Sequence, residues 1–154
     1  MFTLRSSDGY TEVAFSLTPR GSMPAAVGSL LSAVLEGKFW DRSAPDVTSS
    51  SLVEDFRIDL CQVPTTRGAL AKLSSEIGNW LTTGQAFRVE LASGPNQSLL
   101  LELGEREGVV FRQDRPTTTL QYRGERMEAE WFFVVDQSCL TSLRDDLERA
   151  LGRV

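Results

Sequence analysis

The chain has 154 residues, of which 41% are hydrophobic and 24% are charged, a composition typical of one globular domain and not of a disordered chain. Histidine is absent, which excludes Ser-His and Cys-His nucleophile pairs and most transition-metal sites. The net charge is −5 and the 16 basic residues are scattered, so the composition disfavours nucleic-acid binding and favours a positively charged partner.

The sequence also predicts a cytoplasmic location without membrane contact. No apolar run approaches the roughly 18 residues of a membrane span. The first residues lack the charged and apolar regions of a signal peptide. Cys61 and Cys139 lie far apart and outside any CxxC motif. We therefore expect two reduced, largely buried thiols.

The N-terminal part predicts a hairpin followed by a helix. Strands over residues 2–5 and 10–18 flank the turn Ser7-Asp8-Gly9. A helix ending near Gly37 is predicted by apolar residues at the spacing i, i+3, i+4, i+7, i+8, namely Val27, Leu30, Leu31, Val34 and Leu35. Residues 41–51, rich in Ser, Asp and Pro, predict a loop that bounds a possible N-terminal subelement, residues 1–45.

The middle of the chain alternates between strand and helix patterns. Residues 52–60 predict a strand with one dry and one wet face, formed by Phe56, Ile58 and Leu60 and by Asp55, Arg57 and Asp59 respectively. A helix over residues 70–81 follows, and Gly84 is its expected C-terminal stop. Four further strands are predicted at residues 87–91, 99–103, 109–112 and 117–123.

The C-terminal part predicts a strand over residues 127–135 and then a helix with an apolar stripe of Leu140, Leu143, Leu147 and Leu151. Short turns between successive strands favour antiparallel pairing. The expected fold is therefore α+β in a single domain, residues 1–154. It has a mainly antiparallel β-sheet with two or three helices packed on one face, including a C-terminal amphipathic helix.

No motif for catalysis or cofactor binding is present. There is no GxSxG, GxGxxG or GxxxxGK[ST] sequence, and neither lysine stands in an SxxK arrangement. We predict no catalytic, cofactor-binding or metal-binding residues. A carboxylate-based enzyme remains an alternative, and it would need acids that converge in a deep pocket.

The acidity of the chain is concentrated near its C-terminus. Residues 125–148 hold seven acidic and two basic residues, an excess of five negative charges that equals the net charge of the whole chain. A solvated surface is one explanation. The other is a partner-binding surface, for which six acids are the candidates: Glu125, Glu128, Glu130, Asp145, Asp146 and Glu148.

Phe132 and Val134 share the side of the strand that carries Glu128 and Glu130. We expect this strand to be covered on both faces, because large exposed apolar patches are uncommon. Exposure of the two residues would instead indicate an interface with apolar anchors inside a charged rim.

The segment 132–151, FFVVDQSCLTSLRDDLERAL, resembles the end of WapI-type immunity proteins of bacterial polymorphic toxin systems. Those domains similarly close with an aromatic-rich strand, an Asp-Gln-Ser/Thr turn and a leucine-spaced helix. The resemblance covers about residues 52–151. It implies a cytosolic, non-enzymatic protein that binds and blocks one cognate toxin domain, often a nuclease, and it supplies no catalytic residues.

The expected function is therefore that of an acidic immunity protein that neutralises a toxin domain with a basic surface. A small acidic chaperone or adaptor for a secreted or effector protein is the alternative, because the composition permits it equally.

Overall fold

The computed structural model describes residues 2–6, 11–19, 29–40, 52–104 and 117–152. It contains two four-stranded antiparallel sheets, each followed by a helix. The first sheet has the order β1-β2-β3-β4, with β1 Phe2–Arg5, β2 Thr11–Pro19, β3 Ser29–Trp40 and β4 Leu52–Thr65. The second has the order β5-β6-β7-β8, with β5 Phe87–Gly94, β6 Gln97–Leu103, β7 Thr117–Arg123 and β8 Glu128–Val134. The helices are α1, Arg67–Thr83, and α2, Gln137–Ala150.

The α+β class and the antiparallel pairing are confirmed. The division of the strands between two sheets is new information, because the sequence predicts a single sheet and contains no visible repeat. The element order ββββα nevertheless occurs twice. The predicted strand at 109–112 and the predicted loop at 41–51 lie outside the described residues.

The helix predicted to end near Gly37 is wrong, because this segment is the strand β3. Leu31, Ala33 and Leu35 are buried and the residues between them are half-buried, which is the period of a strand. β3 pairs with β2 on one side and with β4 on the other. An apolar run of this length fits both periods, and pairing on both sides stabilises the strand.

The first hairpin and the predicted faces of β4 are confirmed where the structure describes them. In the hairpin, the rings of Phe2 and Phe15 stack with their centroids 4.9 Å apart. In β4, Leu60 is buried and Arg57 and Asp59 are exposed. The side chains at positions 51–56 lie outside the described set. β4 extends past the predicted end at residue 60 and leads directly into α1.

Helix α1 begins and ends at the expected local signals. Thr66 caps its N-terminus, where the hydroxyl accepts a hydrogen bond from the Ala69 amide at 3.1 Å. Gly84 ends it with a positive φ of 73°, a conformation that glycine adopts without strain. The helical spacing places five apolar residues on one face of this helix, namely Leu70, Leu73, Ile77, Trp80 and Leu81. The first four are buried, and Leu81 is partly buried.

The two helices contact each other, and each also contacts the sheet from the other half of the chain. α1 lies against β5, and α2 lies against β1. Arg67 at the start of α1 donates a hydrogen bond to the carbonyl of Leu151 at the end of α2. The apolar residues of both sheets and both helices form one buried cluster, so neither half has a separate core among the described residues.

Candidate partner-binding surface

β8 is an edge strand of the second sheet. Residues 128–134 pair with residues 123–117 of β7 in a regular antiparallel register without a bulge. No other described strand pairs with β8 on its opposite side. In such a strand, alternate backbone N–H and C=O groups point away from the sheet and can pair with another chain.

The outer face of β8 combines carboxylates and apolar side chains. Glu128 and Glu130 are exposed in the first half of the strand. Phe132 and Val134 follow on the same face and are 66% and 39% exposed. The expectation that both faces of this strand are covered is therefore wrong, and the apolar residues lie beside the acidic ones in the open.

The opposite face of β8 belongs to the core. Trp131 is partly buried against the core cluster, and Val135 just beyond the strand is fully buried. This burial fixes the register, because a shift of one residue would exchange the two faces. The four outer side chains of β8, namely Glu128, Glu130, Phe132 and Val134, are therefore held in place, and we call them the β8 face.

Glu125 lies in the turn between β7 and β8, close to the β8 face along the chain. Its side chain is exposed and accepts a hydrogen bond from the Asn96 side-chain amide at 2.8 Å. Glu128 stands opposite Arg123 in the β7 register, and Glu130 stands opposite Gln121. Three of the six predicted acids thus lie on one hairpin.

The other three predicted acids lie on α2, and two of them are engaged within the protein. Asp146 is half-buried and forms an ion pair with Arg149 at 3.1 Å. Glu148 is half-buried and accepts a hydrogen bond from the Ser74 hydroxyl on α1. Asp145 is exposed. Of the three candidate acids on α2, Asp145 is therefore the one that remains available for a partner.

A cavity of about 420 Å³ opens between the β5–β6 and β7–β8 turns, and the sequence does not predict it. Its walls are formed by Pro95, Asn96, Gln97, Tyr122, Gly124, Glu125, Arg126 and Met127. Met127 is 44% exposed, so it adds apolar surface at the same end of the hairpin. Glu125 is the one carboxylate among these residues, so the cavity lacks the converging acids that a carboxylate-based enzyme needs.

Gly124 is required by the packing at this cavity. A Cβ at this position would lie 2.7 Å from the Tyr122 hydroxyl oxygen, which is shorter than a van der Waals contact. The turn can close over Tyr122 because residue 124 has no side chain.

Cys139 is a free, half-buried cysteine at the start of α2. It lines a cavity of about 280 Å³ between β1 and α2, together with Arg5, Ser138 and Asp146 among others. Burial raises the pKa of the Cys139 thiol above its ordinary value of 9.0. The thiol is therefore protonated near neutral pH and is a poor nucleophile. The side chain of Cys61 lies outside the described residues.

Within the described residues, no three Cys, Asp or Glu side chains are grouped closely enough to hold a metal ion. None of the described helices is both long enough and apolar enough to cross a membrane.

No family model matches the chain, and no curated protein matches it. Among solved structures, that of the plant transcriptional regulator PBF-2 is similar, with a TM-score of 0.41 and 9% sequence identity. The similarity covers 99% of this chain and 80% of that chain. A similarity of this size carries no inference about function.

Proposed function

We propose that the chain is a non-enzymatic protein that binds another protein through the β8 face and acts as an immunity protein against a cognate bacterial toxin domain. The observation that carries the proposal is the exposure of Phe132 and Val134 beside Glu128 and Glu130. Apolar anchors flanked by charged residues are the usual anatomy of a protein–protein interface.

The two kinds of side chain on the β8 face serve different parts of binding. Burial of an exposed phenylalanine or valine side chain stabilises a complex by about 1.5–3 kcal/mol. The carboxylates contribute less to affinity, but they steer a basic partner and disfavour acidic ones. The apolar residues thus provide affinity, and Glu125, Glu128 and Glu130 provide the choice of partner.

A toxin domain that acts on nucleic acid suits this surface because it carries a basic substrate groove. Clustered carboxylates can occupy such a groove in place of phosphates. The resemblance of residues 132–151 to WapI-type immunity proteins supports the same partner class. We include a cytoplasmic location in the proposal, since an immunity protein meets its toxin there. We exclude Asp146 and Glu148 from the contact surface because both are engaged within the protein.

The test is co-expression with a candidate toxin domain, which the proposal expects to be encoded by a neighbouring gene. We expect the wild-type chain to rescue growth and to co-purify with the toxin. The double variant Glu128→Lys/Glu130→Lys should lose rescue and bind at least about a hundredfold more weakly, since each reversed charge replaces attraction by repulsion. Its Tm should fall only slightly and by as much as that of the control below, because Glu128 stands opposite Arg123 as Glu102 stands opposite Arg88.

The matched control is Glu90→Lys/Glu102→Lys. These acids are also exposed on the outer face of the second sheet, but they lie on β5 and β6, three and two strands from β8 respectively. The control changes the net charge equally and should retain rescue. Equal loss in both variants would mean that total charge matters and the β8 face does not. Co-purification without rescue would instead favour a chaperone or adaptor.

A further inference from the structure

The four strands at the edges of the two sheets differ in how they are protected from pairing with other chains. β1 has four residues and contacts α2. β5 contains a register irregularity between Glu90 and Ala92 and contacts α1. β4 contacts β5, and the Thr65 hydroxyl donates a hydrogen bond to the Leu91 carbonyl. Bulges, short strands and covering elements are the usual means of protecting a sheet edge.

β8 has none of these devices within the described part of the chain. It has seven residues, its pairing with β7 is regular, and its sequence EAEWFFV contains neither proline nor lysine. The acidic and the apolar side chains of the β8 face are all exposed. The two charged side chains of this edge are both acidic, so it is a template for a strand that carries basic residues.

We infer that β8 binds its partner by strand addition, in which an extended segment of the partner pairs antiparallel with the open side of β8. The segment carries aliphatic residues opposite Val134 and Phe132 and basic residues opposite Glu130 and Glu128. Backbone hydrogen bonds supply affinity, and the alternating side chains supply specificity. This inference rests on the proposed function and names the form in which the partner is recognised.

Charge and register favour a basic partner segment over a second copy of this chain. In an antiparallel pair of two β8 strands, the register that sets Phe132 against Val134 overlaps the strands only over residues 132–134 and leaves both glutamates unpaired. The register that sets Phe132 against its own copy sets Glu130 against Val134. The register centred on Trp131 sets Phe132 against Glu130. Each register therefore shortens the pairing to three residues or sets a carboxylate against an apolar side chain.

The test uses synthetic peptides of seven residues, the length of β8, with blocked termini. The matching peptide has isoleucine or valine at its first and third positions, arginine at its fifth and seventh, and threonine between them. A scrambled peptide of the same composition interleaves the basic and aliphatic residues. Binding to the whole chain is followed by fluorescence anisotropy of a label on the peptide. We expect the matching peptide to bind at least about tenfold more tightly than the scrambled one.

Charge reversal tests the side-chain pairing. In the Glu128→Lys/Glu130→Lys variant, affinity for the arginine peptide should fall at least about tenfold. Affinity for a peptide with glutamate in place of arginine should rise by a similar factor. The Glu90→Lys/Glu102→Lys control should bind both peptides as the wild type does.

N-methylation tests the backbone pairing separately. In an added strand, alternate N–H groups point toward β8, so one of two peptides methylated on alternate residues should lose binding at least about tenfold. The other should keep affinity within about twofold of the parent, because its methyl groups point to solvent. Both peptides keep every side chain. A difference between them therefore reports hydrogen bonds to β8.

The outcomes separate this inference from the proposed function. Equal binding of the two methylated peptides, or no binding of any peptide, would overturn strand addition. The co-expression test would still decide the immunity function by itself. A wild-type dimer in sedimentation equilibrium that Phe132→Lys dissociates would assign the edge to a second copy and would also overturn the inference. Charge-dependent binding with a difference between the methylated peptides supports it.

Discussion

Replacement of Asp136 by alanine should remove the N-terminal cap of α2 and lower the stability of the domain. The Asp136 carboxylate accepts hydrogen bonds from the Cys139 amide at 2.9 Å and from the Ser138 hydroxyl at 2.6 Å. Loss of such a cap costs about 1 kcal/mol. Loss of negative charge at the positive end of the helix dipole adds about 0.5 kcal/mol. We expect the free energy of unfolding to fall by about 1.5 kcal/mol, which corresponds to ~3–6 °C in Tm for a domain of this length.

The same carboxylate gives this prediction a pH dependence of known sign. The hydrogen bond from Ser138, followed by that from the Cys139 amide, lowers the pKa of Asp136 below its ordinary value of 3.8. Because the pKa is lowered in the folded state, the cap stabilises the protein above pH 3.8. Its contribution is lost as the pH falls through the folded-state pKa. The difference between the wild type and Asp136→Ala should therefore shrink at low pH.

The assay is urea unfolding followed by circular dichroism, from pH 7 down to about pH 3. Asp136→Asn is the matched variant, because its amide oxygen can still accept the Cys139 hydrogen bond but cannot titrate. Asp136→Asn should lower the free energy of unfolding less than Asp136→Ala does. The difference in stability between these two variants should not depend on pH, because neither side chain titrates. Equal stability of the wild type and Asp136→Ala at pH 7, or a difference that does not change with pH, would refute the reasoning.

Three further substitutions test the core and the cavity, each by urea unfolding. The buried Thr118 hydroxyl has no hydrogen-bond partner among the described residues, so Thr118→Val should raise stability by about 1 kcal/mol, whereas Thr118→Ser should lower it. A stability loss in Thr118→Val would show that the hydroxyl does form a hydrogen bond. Trp80→Phe should cost about 2 kcal/mol, because it removes buried volume and the 3.0 Å hydrogen bond to the Gly104 carbonyl. Gly124→Ala should destabilise the protein by about 1–3 kcal/mol, because its Cβ would clash with the Tyr122 hydroxyl. Adding Tyr122→Phe should restore part of this loss. If it restores none, the clash is not the cause.

Elements defined by neighbouring residues could be predicted from the sequence. Strand alternation and short turns located most of the hairpins, and residue 84 was recognisable as a helix stop because glycine tolerates its positive φ of 73°. β3 could not be predicted in this way. Its apolar residues fit a helical period as well as a strand, and the decision depends on pairing with β2 and β4, which lie at a distance in sequence.

The candidate site also combines features set by neighbouring residues with features set by residues that are distant in sequence. Sequence proximity groups Glu148 with the other C-terminal acids, but its carboxylate meets Ser74, a residue 74 positions away. The exposure of Phe132 is equally nonlocal. A strand rich in aromatic residues is buried on both faces only when other elements cover both faces of its sheet. The outer face of the second sheet is open at Phe132, as it is at Glu90 and Glu102, and no local pattern shows whether a sheet face is covered.

The repeated ββββα order explains why β8 is the edge that carries the candidate site. In the first half, the fourth strand, β4, leads into α1 and contacts β5 of the second half. Each helix also contacts the first strand of the other half, so that β1 lies against α2 and β5 lies against α1. β8 is the fourth strand of the second half, and within the described residues it has no counterpart of the β4–β5 contact. These contacts between the two halves protect the edges β1, β4 and β5, but they leave β8 open. That is also the strand on which two large apolar side chains are exposed.

Variants that disturb the contacts between the two halves, such as Trp80→Phe in α1, should lower stability without changing partner affinity. Glu128→Lys/Glu130→Lys should change affinity and lower stability no more than Glu90→Lys/Glu102→Lys does. Loss of affinity in Trp80→Phe, or a stability loss in Glu128→Lys/Glu130→Lys larger than that of its control, would show that the scaffold and the β8 face are not separate.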